Sequence, residues 1–131
     1  MRCQPDSGRA GGARLGAGEF ARLKRLLFVC ARNRLRSPTA EAVFAAVEGI
    51  EVSSAGTAPD AECPVSVEII EWADAVFVME SRQKKILQQR FGKALDGKTV
   101  VCLGIPDRYR YMQPELVSLL RAKMAAFLSR M

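Results

Sequence analysis

Four times along the sequence a short apolar run gives way to a stretch with helical spacing, and this alternation limits the folds open to the chain. The first run, LKRLLFV from Leu23 to Val29, ends at Cys30. In the PTAEAVFAAVEG that follows, Pro38 stands where proline favours a helix start, alanines fill the interior and Gly49 marks a stop. IEVSSAG (50–56) reads as a second strand, and PVSVEIIEWAD (64–74) as a helix with Val65, Ile69, Trp72 and Ala73 on one face. AVFVME (75–80) is a third strand, apolar enough for burial on both faces. Ser81 is placed to cap a third helix that runs to Phe91 and stops at Gly92. TVVCLGI (99–105) supplies a fourth strand with Cys102 as a core residue in its middle. Pro114 then opens a last helix whose stripe is Leu116, Leu119, Leu120, Met124 and Phe127.

Strands and helices in strict alternation predict an α/β fold: a four-stranded parallel sheet with helices on both faces, joined by right-handed crossovers. Such sheets bind ligands beyond the carboxyl ends of their strands, where the strand order reverses. Cys30 and Asp107 both fall just past strand ends, on that edge.

Composition narrows the chemistry. With 131 residues, 49% of them apolar, the chain is one domain that can bury a core without covalent staples. Residues 1–22 are rich in Gly, Ala and Arg and show no apolar periodicity, so a disordered tail is expected there and a folded domain over 23–131. No apolar run approaches the roughly 20 residues of a membrane span, and the start lacks the apolar centre of a secretory signal. The expectation is a soluble, cytoplasmic protein with no membrane partner. Cys3, Cys30, Cys63 and Cys102 form no C-x2-C pair, which leaves no zinc motif or disulfide framework and makes reduced thiols the default. The sequence has no histidine, and this excludes Ser-His-Asp triads, Cys-His proteases, H-E-x-x-H metal sites and histidine shuttles. Chemistry is left to Cys, Asp, Glu, Lys, Arg and Tyr.

A formal charge of +6 points to an anionic partner, and Arg32, Arg34 and Arg36 place part of that charge in one stretch, FVCARNRLRSP, without an intervening acid. Between the first strand and the first helix, the backbone through Cys30, Ala31, Arg32, Asn33, Arg34, Leu35 and Arg36 would curl into a nest of N–H groups facing the same way as the helix N-terminus. Nests of this kind bind oxyanions. Arg36 adds a planar fork that holds two phosphate oxygens at once. The same donors would stabilise a thiolate at Cys30, so the positive charge both ionises the nucleophile and holds the anion it attacks.

The whole stretch FVCARNRLRSPTAE resembles the signature of the low-molecular-weight protein tyrosine phosphatases, C-x2-N-x2-R-S-P followed by a small residue and Glu. Further on, SSAGT (53–57) is similar to that family's second-strand exit, and IPDRY (105–109) to its general-acid loop. The resemblance runs from about Leu23 to the end of the chain. It implies a flavodoxin-like strand order 2-1-3-4, and a phosphomonoester phosphatase acting through a cysteinyl-phosphate without metal or organic cofactor. It implies Cys30 as nucleophile, Arg36 as clamp and Asp107 as general acid, then base. Ala31, Arg32, Asn33, Arg34, Leu35 and Ser37 would line the substrate's phosphate, and Tyr109 would form an aromatic wall. Asn33, Ser37 and Ser54 would brace the loop. The implied partner is a phosphorylated protein or a small aryl phosphate, with no nucleic acid expected.

The chain also departs from the family pattern. Arg32 stands in place of a glycine, Leu35 in place of a second cysteine, and Arg108 in place of a proline. The stretch after SAGT is cut to APDAECPV, which implies a shallower cleft. Three other uses of such a loop stay open on sequence: arsenate reduction through resolving thiols, a phosphocysteine carrier of the sugar-uptake type, and a phosphate or nucleic-acid binding module.

Overall fold

A computed structural model describes residues 24–32 and 34–128. The 1–22 tail and Asn33 lie outside the described residues. Strands β1 (Lys24–Cys30), β2 (Ile50–Gly56), β3 (Ala75–Val78) and β4 (Thr99–Cys102) form one parallel sheet in the order β2-β1-β3-β4, as expected. Helices α1 (Arg36–Phe44), α2 (Val67–Trp72), α3 (Ser81–Leu95) and α4 (Pro114–Leu128) fill the crossovers and the end of the chain.

The period of two along β1 divides the core. Leu26, Phe28 and Cys30 face one side, where they join Ala40 and Phe44 of α1 and Leu116, Leu120 and Met124 of α4. Leu27 and Val29 face the other side, with Ile69 and Ile70 of α2 and Leu87 and Leu95 of α3. Phe28 stacks between Phe44 and Phe77, with ring centroids 5.7 and 5.6 Å away. Both sheet faces are thus covered, which is why β1 is apolar without a break from Leu26 to Cys30.

Three local expectations shift. Helix α1 begins at Arg36, two residues before Pro38. First-turn N–H groups have no intrahelical partner, so a proline without one is equally at home there. Helix α3 passes through Gly92 to Leu95 with a kink at Phe91 (φ −130°, ψ 29°), and it is Glu80, not Ser81, that stands at its N-cap. Cys102 is exposed, because β4 is the edge strand and Cys102 is its last residue. Helix α2 is short; its N-cap Ser66 accepts from the Ile69 N–H as an extended residue before a helix should.

Candidate active site

The chain leaves β1 for β2 on one side and reaches β3 on the other, so the order reverses beside the end of β1. Cys30 stands at that point, opposite Gly56 in the register. The carbonyls of Cys30, Ala31 and Arg32 turn outward and accept hydrogen bonds from the N–H groups of Thr57, Ala58 and Glu62, at 3.0, 2.8 and 3.2 Å. In a planar trans peptide the N–H points opposite its carbonyl. The Ala31 and Arg32 N–H groups are thereby turned inward, to a hollow of about 190 Å³ lined by Cys30, Ala31, Arg32, Arg34, Leu35, Arg36 and Asp107.

Gly56 is what lets the loop lie this close to β2. A Cβ there would stand 2.6 Å from the Ala31 carbonyl oxygen and 2.6 Å from the Ala61 Cβ. The SSAGT motif therefore has a steric reason, besides its place at a strand exit. Ser54, one of the expected braces, donates from Oγ to Glu41 Oε1 at 2.6 Å and ties β2 to the helix into which the loop leads.

Ser37 is fully buried, and its Oγ is 3.0 Å from Cys30 Sγ. When the sulfur is ionised the hydroxyl must be the donor to it; when the sulfur is a thiol and donates instead, the hydroxyl proton is released to the Ala55 carbonyl at 3.5 Å. Arg36 is only 2% exposed. Its Nη1 donates to the Ile105 carbonyl at 2.8 Å and is 3.1 Å from Glu80 Oε1, while its Nε is 3.7 Å from Asp107 Oδ1. The fork is held from two sides before any ligand arrives.

Glu80 escaped the sequence reading. Burial pushes its carboxyl up, but the hydrogen bond and charge of Arg36, with help from Gln83 and Arg82, outweigh that and hold it below its ordinary range. Gln83 accepts from the Glu80 N–H at 2.8 Å and donates to its Oε1 at 3.2 Å, which fixes the carboxylate at the head of α3. The one sequence signal for it is the E-x-x-Q spacing of a helix cap, which says nothing of Arg36.

Thr39 was missed as well. Its Oγ1 donates to the Leu35 carbonyl at 2.6 Å and accepts from the Met112 N–H at 2.9 Å, linking the phosphate loop to the segment that carries Asp107. Met112 has φ 59°, an uncommon backbone for a residue with a side chain.

The structure brings Cys30, Ala31, Arg32, Arg34, Leu35, Arg36 and Asp107 around one hollow, with Ser37 beneath it. It does not bring Tyr109 there. That ring packs against the core cluster on the α4 side, lies under the Arg108 guanidinium at 5.7 Å, and borders a separate open depression with Pro114, Glu115, Ser118 and Leu119. Among the described residues Cys30 and Cys102 are in no disulfide, whereas Cys63 is disulfide-bonded, against the expectation of reduced thiols throughout.

The family model for low molecular weight phosphotyrosine protein phosphatase matches residues 25–102. The chain belongs to this family. It is a cysteine-dependent phosphatase with Cys30 in the phosphate-loop position, which decides among the uses that the loop alone left open. Solved structures agree. The YwlE arginine phosphatase from Geobacillus stearothermophilus is 26% identical with a TM-score of 0.65, the match covering 82% of this chain and 94% of that one. A YwlE arginine phosphatase mutant with a phosphorylated active-site serine is 28% identical with a TM-score of 0.62, covering 80% of this chain and 95% of that one. The low molecular weight protein tyrosine phosphatase SP-PTP from Streptococcus pyogenes shares the fold at 21% identity and a TM-score of 0.68, covering 82% and 93%. No curated protein matches the chain. The family match ends at residue 102, so Asp107 in this phosphatase stands on its geometry alone.

Proposed function

We propose that this phosphatase hydrolyses phosphate monoesters with Cys30 as nucleophile, Arg36 as oxyanion clamp and Asp107 as proton carrier. The observation that carries the assignment is that all three line one hollow, with the Arg36 Nε 3.7 Å from Asp107 Oδ1. The Cys30 sulfur attacks phosphorus, forming an S–P bond as the P–O bond to the leaving group breaks. Asp107 gives its proton to the departing oxygen. Water then attacks the cysteinyl-phosphate, Asp107 takes the water's proton, and the S–P bond breaks to release inorganic phosphate and the thiolate. Charge on the transferring oxygens is met by the inward N–H groups and the guanidinium, already oriented by Ile105 and Glu80.

The substrate is a phosphorylated protein side chain or a small aryl phosphate. Two neighbours described as arginine phosphatases raise phosphoarginine as a second candidate. Its cationic guanidino group would meet Arg32 and Arg34 at the lip of the hollow, and like charges disfavour it. Among the described residues no helix is long and apolar enough to cross a membrane. Nucleophilic attack needs the Cys30 sulfur unoxidised, and on that ground we place the enzyme in the cytoplasm; the Cys63 disulfide is the observation that favours an oxidising compartment instead.

The test is release of phosphate from an aryl phosphate. Wild type should turn over, and Cys30→Ser and Arg36→Ala should not. Asp107→Asn should slow turnover by about 10² to 10⁴, since it removes the proton donor and leaves the loop intact. An Asp107→Asn rate equal to wild type would remove this residue from the mechanism.

A further inference from the structure

Among the described residues the hollow over Cys30 has no aromatic side chain in its lining, and its volume of about 190 Å³ is below that of ordinary small-molecule pockets. It has room for a phosphoryl group and a few further atoms, so the remainder of any substrate lies across the lip. That lip is formed by Arg32, Arg34 and the exposed Leu35. Arg36 is committed to the floor by Ile105 and Glu80, but the lip arginines are not so bound. Their side chains are 58% and 55% exposed, and each leans on an equally exposed acid of the shortened segment: Arg32 on Asp60 at 3.1 Å, and Arg34 on Glu62 at 3.8 Å. Exposed pairs of this kind hold weakly and exchange partners readily.

We propose that the lip is a second anion subsite. Arg32 and Arg34 leave Asp60 and Glu62 to hold a carboxylate or further phosphate of the substrate while its first phosphate sits in the Cys30 loop. The proposal rests on the phosphatase reading and names its substrate class: phosphate esters bearing a second anionic group a few bonds from the reacting phosphate. A ring alone finds little here, because Tyr109 is turned to the core and Leu35 is, among the described residues, the lip's one large apolar side chain. A second anion finds two planar forks, each able to take two oxygens. Asp60 and Glu62 act as place-holders that keep the forks over the mouth and compete with the incoming anion.

The experiment compares phenyl phosphate with 3-carboxyphenyl phosphate, whose leaving groups are similar phenols. Wild type should favour the carboxylate by about tenfold in kcat/KM at low salt, the ratio falling toward one at high salt as the Debye length shrinks from about 10 Å at 0.1 M to about 3 Å at 1 M. The double variant Arg32→Gln/Arg34→Gln should bring the ratio near one. Asp60→Asn/Glu62→Gln should raise it. Phosphotyrosine peptides with glutamate or alanine flanks form a second pair. A preference there assigns the second anion to a neighbouring protein side chain, and a preference confined to the small esters assigns it to the substrate's own ring. Calorimetric binding of phenylphosphonate and 3-carboxyphenylphosphonate reads the same ratio without turnover. Failure of the phosphatase reading would show as absent phenyl phosphate hydrolysis, and failure of the subsite as equal constants within each pair. A preference that survives in the arginine double variant would also overturn it.

Discussion

Replacing Glu80 with glutamine tests whether the clamp is built before substrate arrives. Arg36 is buried, and its Nη1 has two partners, the Ile105 carbonyl at 2.8 Å and Glu80 at 3.1 Å. Breaking a fully buried pair costs about 3–5 kcal/mol. Here the Glu80 side chain is 28% exposed, so water recovers part of that loss, and the glutamine amide oxygen still accepts a hydrogen bond. The expected loss of stability for Glu80→Gln is therefore about 1–2 kcal/mol at neutral pH. Its pH dependence has a definite sign. The Glu80 carboxyl is held below its ordinary 4.5, so its contribution is present above that value and disappears as pH falls through the lower folded value. Urea midpoints of wild type and Glu80→Gln should differ at pH 7 and converge as the pH falls below the ordinary carboxylate range. The looser fork should also lower kcat/KM for an aryl phosphate by about tenfold, the factor that corresponds to about 1.4 kcal/mol. A stability gap that is absent at pH 7, or that persists undiminished in acid, would refute the coupling of Arg36 to Glu80.

Two substitutions away from the reacting atoms test how the loop is positioned. Gly56→Ala would set a methyl group 2.6 Å from the Ala31 carbonyl oxygen, and the loop must shift to admit it. A loss of about 1–3 kcal/mol by urea unfolding, with weaker inhibition by inorganic phosphate, is expected. Thr39→Val strips the Met112 N–H of its acceptor and the Leu35 carbonyl of a donor. Because this bond joins the phosphate loop to the Asp107 segment, kcat should fall with KM little changed, and Thr39→Ser should restore it. Equal falls in wild-type-normalised kcat for the valine and serine variants would place the effect in packing instead.

What the sequence shows and what it hides divide along one physical line. The four strands, the phosphate loop from Cys30 to Arg36 and the Cys30–Ser37 contact are legible because each depends on neighbours close in sequence: an apolar run, a turn, a helix start. Tyr109 had the right spacing from Asp107, yet nothing in IPDRY says whether its ring faces the hollow or the core, since that depends on where α4 packs. Cys102 looked like core because its strand is apolar; only the strand order makes β4 an edge. Glu80 and Thr39 were invisible for the same reason. Arg36 meets Ile105 across 69 residues of sequence, and Thr39 meets Met112 across 73. These contacts exist because β1, β3 and β4 follow one another in the sheet, and the Ile105 N–H donates to the Met79 carbonyl at 2.8 Å, which brings the exit of β4 across β3 toward the loop past β1. A site built at a reversal of strand order takes its nucleophile from one loop and its supports from the tips of other strands. The supports carry no local motif, so the residues that orient Arg36 become visible only once the order 2-1-3-4 is in hand.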